Sequence, residues 1–237
     1  MAEADAICGF EAVSALFARR PADVLRLLYG DALRGRVGPF CAVLARARRP
    51  YRTLPPDELA RVAGTSHHGG VVAVARPRTI PVLDAARPPR MPLLLVLDGV
   101  GNPHNLGAIA RSAAFFGARA LLLREGAGQA MPSGAAYRTA EGVLEHLDLH
   151  RAGDLAACLN ALEPHYRTVA AAPADGAVPL SGLPRDRPVA LVLGKEERGV
   201  SREVLAACGS RVRIPGSGRV QSLNVAQAAA VLLHALG

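Results

Sequence analysis

The 237-residue chain is nearly without lysine: Lys195 is the single one, so the other 27 of its 28 basic residues are arginine. It also lacks long apolar runs. Half of its residues are hydrophobic, yet no stretch reaches the ~18 consecutive apolar residues that a membrane helix needs. The opening "MAEADAICGF" has no basic segment leading into an apolar one, which argues against a secretory signal. Cys8, Cys41, Cys158 and Cys208 are scattered without a CxxC pair, which excludes a compact disulfide framework and suggests reduced thiols in a cytoplasmic setting.

Several catalytic signatures are missing as well. The run "LVLGKEERGVS" (191–201) breaks into a Gly-x-x-x-x-Gly turn, but Gly199 is followed by Val200 and Ser201 rather than by Lys and Ser or Thr. The turn also carries Glu196 and Glu197, whose charge repels a polyphosphate, so it is not a nucleotide phosphate loop. "GVGNPHNLG" places His104, and "GSGRVQ" places Gln221, where a dinucleotide fingerprint needs its third glycine. There is no GxSxG elbow. His146 and His150 are four apart without the HExxH pattern or a third ligand, and read as surface residues on a possible helix. "HHGG" (67–70) reads as a loop entering a strand, with His68 or a neighbour a candidate RNA contact. No metal site is expected.

Excess positive charge is present instead. The net charge is +8 with a pI near 10.1, which favours an acidic partner, nucleic acid above all. Residues 1–92 hold 14 arginines and eight acids, against 14 basic and 12 acidic residues in 93–237. The front of the chain is therefore the better candidate for phosphate contacts.

Residues 76–92, "RPRTIPVLDAARPPRMP", hold five prolines and four arginines and read as an extended linker. Before it, residues 1–75 form a small α/β unit. "FEAVSALFARR" and "ADVLRLLYGDAL" have helical apolar spacing, "FCAVLA" and "VVAVA" look like strands, and "DELARVAG" is a short helix. After it, residues 93–237 show recurrent apolar strands: "LLLVLD", "ARALLL", "YRTVAAA", "VALVLG" and "RVRIP", most of them separated by helical stretches. Such alternation predicts an α/β fold with a parallel sheet covered by helices.

Three segments sit where strands end, the usual ligand edge of an open parallel sheet. The first, "NPHNLGAIARSAAFFGA", has Asn105 before a helix and Arg111 six residues on, on an otherwise apolar helix. The second is the acidic glycine turn. The third, "RIPGSGRVQSLNVAQAAAVLLHAL", offers Ser222 as a helix N-cap and Asn224 at the start of a nearly all-apolar helix.

Asn105–x5–Arg111, then "LGKEERGVS" with Gly194, Glu196 and Gly199, then "IP…SLNV" with Ile214, Pro215, Ser222, Leu223 and Asn224 together resemble the motifs of the SpoU–TrmH family of RNA ribose 2′-O-methyltransferases, in the SPOUT superfamily. The resemblance covers most of the chain. It implies a trefoil-knotted, parallel-sheet methyltransferase domain over 93–237, preceded by a ribosomal-protein-like RNA-binding domain. It also implies S-adenosylmethionine as cofactor, held on backbone near Gly194, Ile214 and Leu223. Arg111 is then the residue that engages the ribose hydroxyl, with Asn105, Glu196, Ser222 and Asn224 as positioning residues. The implied partner is ribosomal or transfer RNA, and the implied assembly is a homodimer. Two departures stand out: Gly216 follows Ile214–Pro215 where many members have Met, and "YRTAEGVLEHL" (137–147) replaces a Ser-x-Gly-Ala pattern. A non-catalytic RNA-binding relative that kept the fold is the alternative. Loss of Arg111 or Asn224 would mark it, and both are present.

Overall fold

The structure is a computed structural model that describes residues 4–172, 176–184 and 186–236. The chain divides into two compact units, one of Met1–Thr79 with Pro132–His146, the other of Ile80–Met131 with Leu147–Gly237.

In the first unit β1 (Asp5–Cys8), α1 (Phe10–Arg19), β2 (Val24–Tyr29), α2 (Arg34–Arg46), β3 (Tyr51–Thr53), α3 (Pro56–Ala63) and β4 (Val71–Ala75) follow in order. The sheet runs β1-β4-β2-β3, with β4 antiparallel to both neighbours and β2 parallel to β3. Its core includes Cys8, Leu28, Leu54, Leu59 and Val72. α3 ends at Gly64, whose positive φ of 66° gives the left-handed stop that glycine allows.

Two elements differ from their sequence reading. The expected helix in "ADVLRLLYGDAL" is strand β2, bounded by Pro21 and Gly30, and its six residues are one of the sheet's two inner strands. Leu27, Leu28 and Tyr29 are buried in succession, so both faces are covered there and the apolar residues need not alternate. The expected strand "FCAVLA" lies inside α2, which runs through Pro39. The carbonyl that loses its partner to that proline belongs to Gly35, which is exposed, so water can satisfy it.

The segment Pro132–His146 packs with this unit through α5 (Gly134–Ala140). Its glycines allow close approach. A Cβ on Gly134 would stand 2.5 Å from the Ala6 carbonyl oxygen, and one on Gly142 2.7 Å from that of Glu11. Arg20 seals the contact, donating to Glu145 at 2.9 Å and to the hydroxyl of fully buried Tyr137 at 3.2 Å. Burial, with the Glu145 carboxylate beside it, pushes the pKa of the Tyr137 hydroxyl up.

The second unit contains β5 (Leu93–Asp98), α4 (Pro103–Phe115), β6 (Ala120–Arg124), β7 (Asp148–Ala152), α6 (Leu155–Leu162), β8 (Arg167–Ala171), β9 (Val178–Pro179), β10 (Val189–Gly194), α7 (Arg202–Ala207), β11 (Ser210–Arg213) and α8 (Val225–Leu236). All pairings in its sheet, ordered β7-β6-β5-β10-β8-β11-β9, are parallel. This matches the expected α/β class. Leu94, Leu95, Val96 and Leu97 have no exposed surface, and each such burial contributes roughly 1.5–3 kcal/mol. The helix expected around His146 and His150 is absent: His150 lies in β7, and His146 ends a 3-10 turn. Val82, inside the proline-rich stretch, bridges to Arg151, so that stretch joins the sheet's margin.

Candidate active site

β5 and β10 are adjacent and parallel, with Asp98 opposite Gly194. Both strands therefore end at one edge, which places the β5–α4 connection beside the acidic glycine turn. Pro103 opens α4 at its first position, and the Asn102 side chain caps it by accepting from His104 N at 2.9 Å. Asn105, expected ahead of the helix, is thus inside its first turn and is buried. The turn after β10 is closed by reciprocal backbone hydrogen bonds between Lys195 and Gly199, at 3.0 and 2.7 Å. A Cβ on Gly194 would stand 2.1 Å from the backbone of Gly199 and Val200, so only glycine fits there.

The third segment arrives through α8, which lies against α4. The helix starts at Val225, later than expected. Its cap is Asn224, not Ser222: Asn224 Oδ1 accepts from Ala226 N at 2.9 Å. With that oxygen committed, the Asn224 amide nitrogen points the other way and donates to Glu196 Oε1 at 2.6 Å and to Asn105 Oδ1 at 3.3 Å. Asn105 donates to the same Glu196 oxygen. Three residues more than 25 positions apart from one another are thereby joined around one carboxylate oxygen.

Next to this cluster lies a cleft of about 520 Å³. Gly194, Ile214 and Leu223 line it, as do Glu196, Ser222 and Gly216. A Cβ on Gly216 would meet nothing within 4 Å, so the departure from Met leaves open space at the cleft edge. Arg111 is exposed on α4 and is not among the cleft residues. A larger groove of about 1150 Å³ lies at the opposite strand ends, beside Leu93, Val189 and the linker residues Ala86–Pro92. None of the three motif segments contributes its site residues there.

The supporting residues were not apparent in the sequence. Asp98, 3% exposed at the end of β5, accepts from Ser201 N at 2.7 Å and from Arg124 at 2.8 Å, which anchors the exit of the acidic turn. Buried Gln129 accepts from Gly99 N and Val100 N and donates to the carbonyls of Val100 and Ala130, which fixes the loop leading to α4. A lone acid ending the apolar run "LLLVLD" was the available signal for Asp98; Gln129 had none. Cys208, after α7, has its thiol pKa pushed up to about 12 by burial and by the nearby Asp98 and Glu163 carboxylates. Among the described residues no group of three or more His, Cys, Asp or Glu could hold a metal ion.

Residues 92–234 match the SpoU rRNA Methylase family, and residues 6–81 match the RNA 2′-O ribose methyltransferase substrate binding family. The chain belongs to the SpoU rRNA Methylase family. Among similar proteins, a 23S rRNA (guanosine-2′-O-)-methyltransferase of Burkholderia sp is 35% identical, over 95% of this chain and 92% of that one. An uncharacterized tRNA/rRNA methyltransferase of Escherichia coli O157:H7 is 31% identical, over 98% of this chain and 67% of its own length. The fold is also that of an AdoMet-bound rRNA methyltransferase from Sinorhizobium meliloti, with a TM-score of 0.82 over 98% of this chain and 86% of that one, at 22% identity. In this SpoU family chain the three motif segments meet at one strand edge. The front match ends at residue 81, close to the boundary between the two units at Thr79.

In the front match His68 is buried, and its Nδ1 accepts from Gly70 N at 3.1 Å. It is thus a turn-holding residue. His67 is the exposed member of the pair.

Proposed function

We propose that this SpoU family chain transfers a methyl group from S-adenosylmethionine to a ribose 2′-hydroxyl of RNA. The observation that carries the reading is the meeting of Asn105, Glu196 and Asn224 beside a cleft lined by Gly194, Ile214 and Leu223. Ribosomal RNA is the favoured target ahead of transfer RNA, supported by the separate front unit and by the names of the relatives.

The cleft suits such a cofactor. Its volume falls in the usual range for small-molecule sites. Gly194, Gly216 and Gly218 leave backbone groups bare along its wall, and bare backbone can pair with an adenine edge. A sulfonium carries no phosphate, so Glu196 at the rim is tolerable. When bound, the cofactor supplies an activated methyl group whose leaving group is a neutral thioether.

The chain's own task is to bring the hydroxyl oxygen into line with the methyl group, the proton that the hydroxyl loses passing to solvent. Arg111 belongs to α4 rather than to the cleft wall, as expected for a residue that meets RNA. With its planar cationic fork it orients the target phosphate and hydroxyl. Asn105, Glu196 and Asn224 hold the start of α4, the acidic turn and the start of α8 in one arrangement, and Ser222 sits at the cleft.

The functional unit is a homodimer. α4 and α8 pair with each other yet leave Phe115 82% and Val231 45% exposed, apolar area that a second copy would cover. Light scattering should give twice the 24.7 kDa chain mass. Four free cysteines fit the reducing cytoplasm. No helix among the described residues is long and apolar enough to cross a membrane.

The deciding experiment is tritium transfer from S-adenosylmethionine into total RNA, followed by mapping of 2′-O-methyl sites with and without the gene. Absence of label in RNA would overturn the reading.

A further inference from the structure

The arginines of the front unit divide into those with work inside the fold and those without. Arg20 is committed to Glu145. Arg49 donates to the carbonyls of Ala22 and Val24, and Arg61 pairs with Asp57. Arg36 is held in another way. It is exposed on α2, and among the described residues no carboxylate pairs with it. Its side chain nevertheless has a defined place: the guanidinium carbon lies 3.7 Å above the centroid of the Phe10 ring.

That ring is backed by others. Phe10 lies 5.9 Å from Phe40, and Phe40 stacks on Phe17 at 4.6 Å with the planes 14° apart. Phe17 is 7% exposed. Three of the chain's five phenylalanines thus form a ladder from the core between α1 and α2 to the surface, with Arg36 as its outermost layer. A guanidinium seated this close over a ring on an exposed side chain has the ring on one side and solvent on the other. Such a plane stacks on aromatic heterocycles as well as on phenylalanine. α2 contains no acidic residue, and Arg46 at its end, Arg48 in the turn after it and Arg52 in β3 are exposed without a carboxylate partner among the described residues.

We propose that the outward face of Arg36, held by Phe10, is a stacking seat for an unpaired base of the RNA substrate. The proposal rests on the RNA-methyltransferase reading and narrows it to a substrate class. In a continuous duplex both faces of each base are occupied, so the seat selects RNA with a loop, bulge or single-stranded flank. Arg46, Arg48 and Arg52 take phosphates on either strand form and give binding its salt dependence. Stacking does not depend on base edges, so the seat adds affinity without reading sequence.

The test uses the full chain with a fluorescent oligouridine and a fluorescent RNA duplex of equal length, titrated by anisotropy at fixed salt. Arg36→Lys keeps the charge and loses the plane. Oligouridine affinity should fall about five-fold or more in Arg36→Lys and in Arg36→Ala, while duplex affinity stays unchanged in Arg36→Lys. Phe10→Leu should weaken oligouridine binding in the same way, and if that variant does not fold, Arg36→Lys alone decides. Arg36→Lys binding oligouridine as tightly as the unmodified chain overturns the seat, as does an equal loss on the duplex. If the unmodified chain methylates total RNA but does not bind oligouridine, the seat is wrong and the enzyme reading stands. If it neither methylates nor binds RNA, both fall.

Discussion

The amide nitrogen of Asn224 lies 2.6 Å from Oε1 of Glu196, and that carboxylate oxygen also receives the amide of Asn105. One acceptor thereby ties the start of α8 and the first turn of α4 to the acidic turn between them. Glu196→Ala should leave two amide donors without their acceptor, one of them on buried Asn105. The expected cost is about 1–3 kcal/mol, read as a lower melting temperature. Methyl transfer should fall by about a hundred-fold, as loops that position reactants separate. Unchanged melting and rate would show that the cluster holds nothing.

Arg111→Ala should abolish transfer at constant stability. Arg111 is exposed, and exposed substitutions usually change stability by less than about 0.5 kcal/mol. Calorimetry should find S-adenosylmethionine binding nearly intact, because Arg111 is not a cleft residue. Arg111→Lys should fail as well, since an ammonium lacks the planar fork. A rate within a few-fold of the unmodified chain would remove Arg111 from the mechanism.

Gly194 and Gly216 both border the cleft but should respond oppositely to alanine. In Gly194→Ala the new Cβ would stand 2.1 Å from backbone atoms of Gly199 and Val200, and backbone cannot rotate aside as a side chain can. A loss of about 3 kcal/mol or more, with cofactor binding abolished, is expected. Gly216→Ala meets nothing within 4 Å and should leave stability within about 0.5 kcal/mol. Urea unfolding and calorimetry on the pair would check this contrast.

Gln129→Leu removes four hydrogen bonds in one step. The backbone N–H groups of Gly99 and Val100 and the carbonyls of Val100 and Ala130 would lose their partner. An expected destabilisation of about 2–4 kcal/mol follows from leaving buried polar groups unpaired. Transfer should fall even where the variant is fully folded, because this loop sets the start of α4, whose first turn carries Asn105. A folded variant with full activity would show that this loop needs no fixing.

Alkaline pH should weaken the second unit through Cys208. Its thiol pKa rises from 9.0 to about 12 on folding. Above pH 9 the unfolded chain releases this proton while the folded chain keeps it, so the unfolded state binds fewer protons and stability falls with rising pH. The contribution is complete below pH 9 and is lost as pH approaches 12. Urea midpoints at pH 8 and pH 10.5 should differ, and Cys208→Ser should reduce the difference. Tyr137 in the other unit has a shift of the same sign. An identical difference in Cys208→Ser would assign the effect elsewhere.

Much of this protein was determined by local sequence. The strands "LLLVLD" and "VALVLG" have the bounds read from their apolar runs, because a strand buried on both faces needs only apolar residues and a turn on either side. The three motif segments were identifiable because short-range chemistry, a glycine turn or a polar residue in an apolar helix, is written in consecutive letters. Tertiary structure decided the rest. β2 departs from its expected helix because pairing with β4 and β3 and burial of Leu27, Leu28 and Tyr29 outweigh spacing over six residues, whereas "FCAVLA" buries only Leu44 and continues the helix begun at Arg34. The grouping of Pro132–His146 with the front unit depends on Gly134, Gly142 and Glu145 meeting Ala6, Glu11 and Arg20, which are far from them in sequence. The cap at Asn224 was hidden for the same reason: Ser222 and Asn224 are equally good caps locally, and Glu196, 28 residues away, selects between them by accepting the amide that only Asn224 can donate.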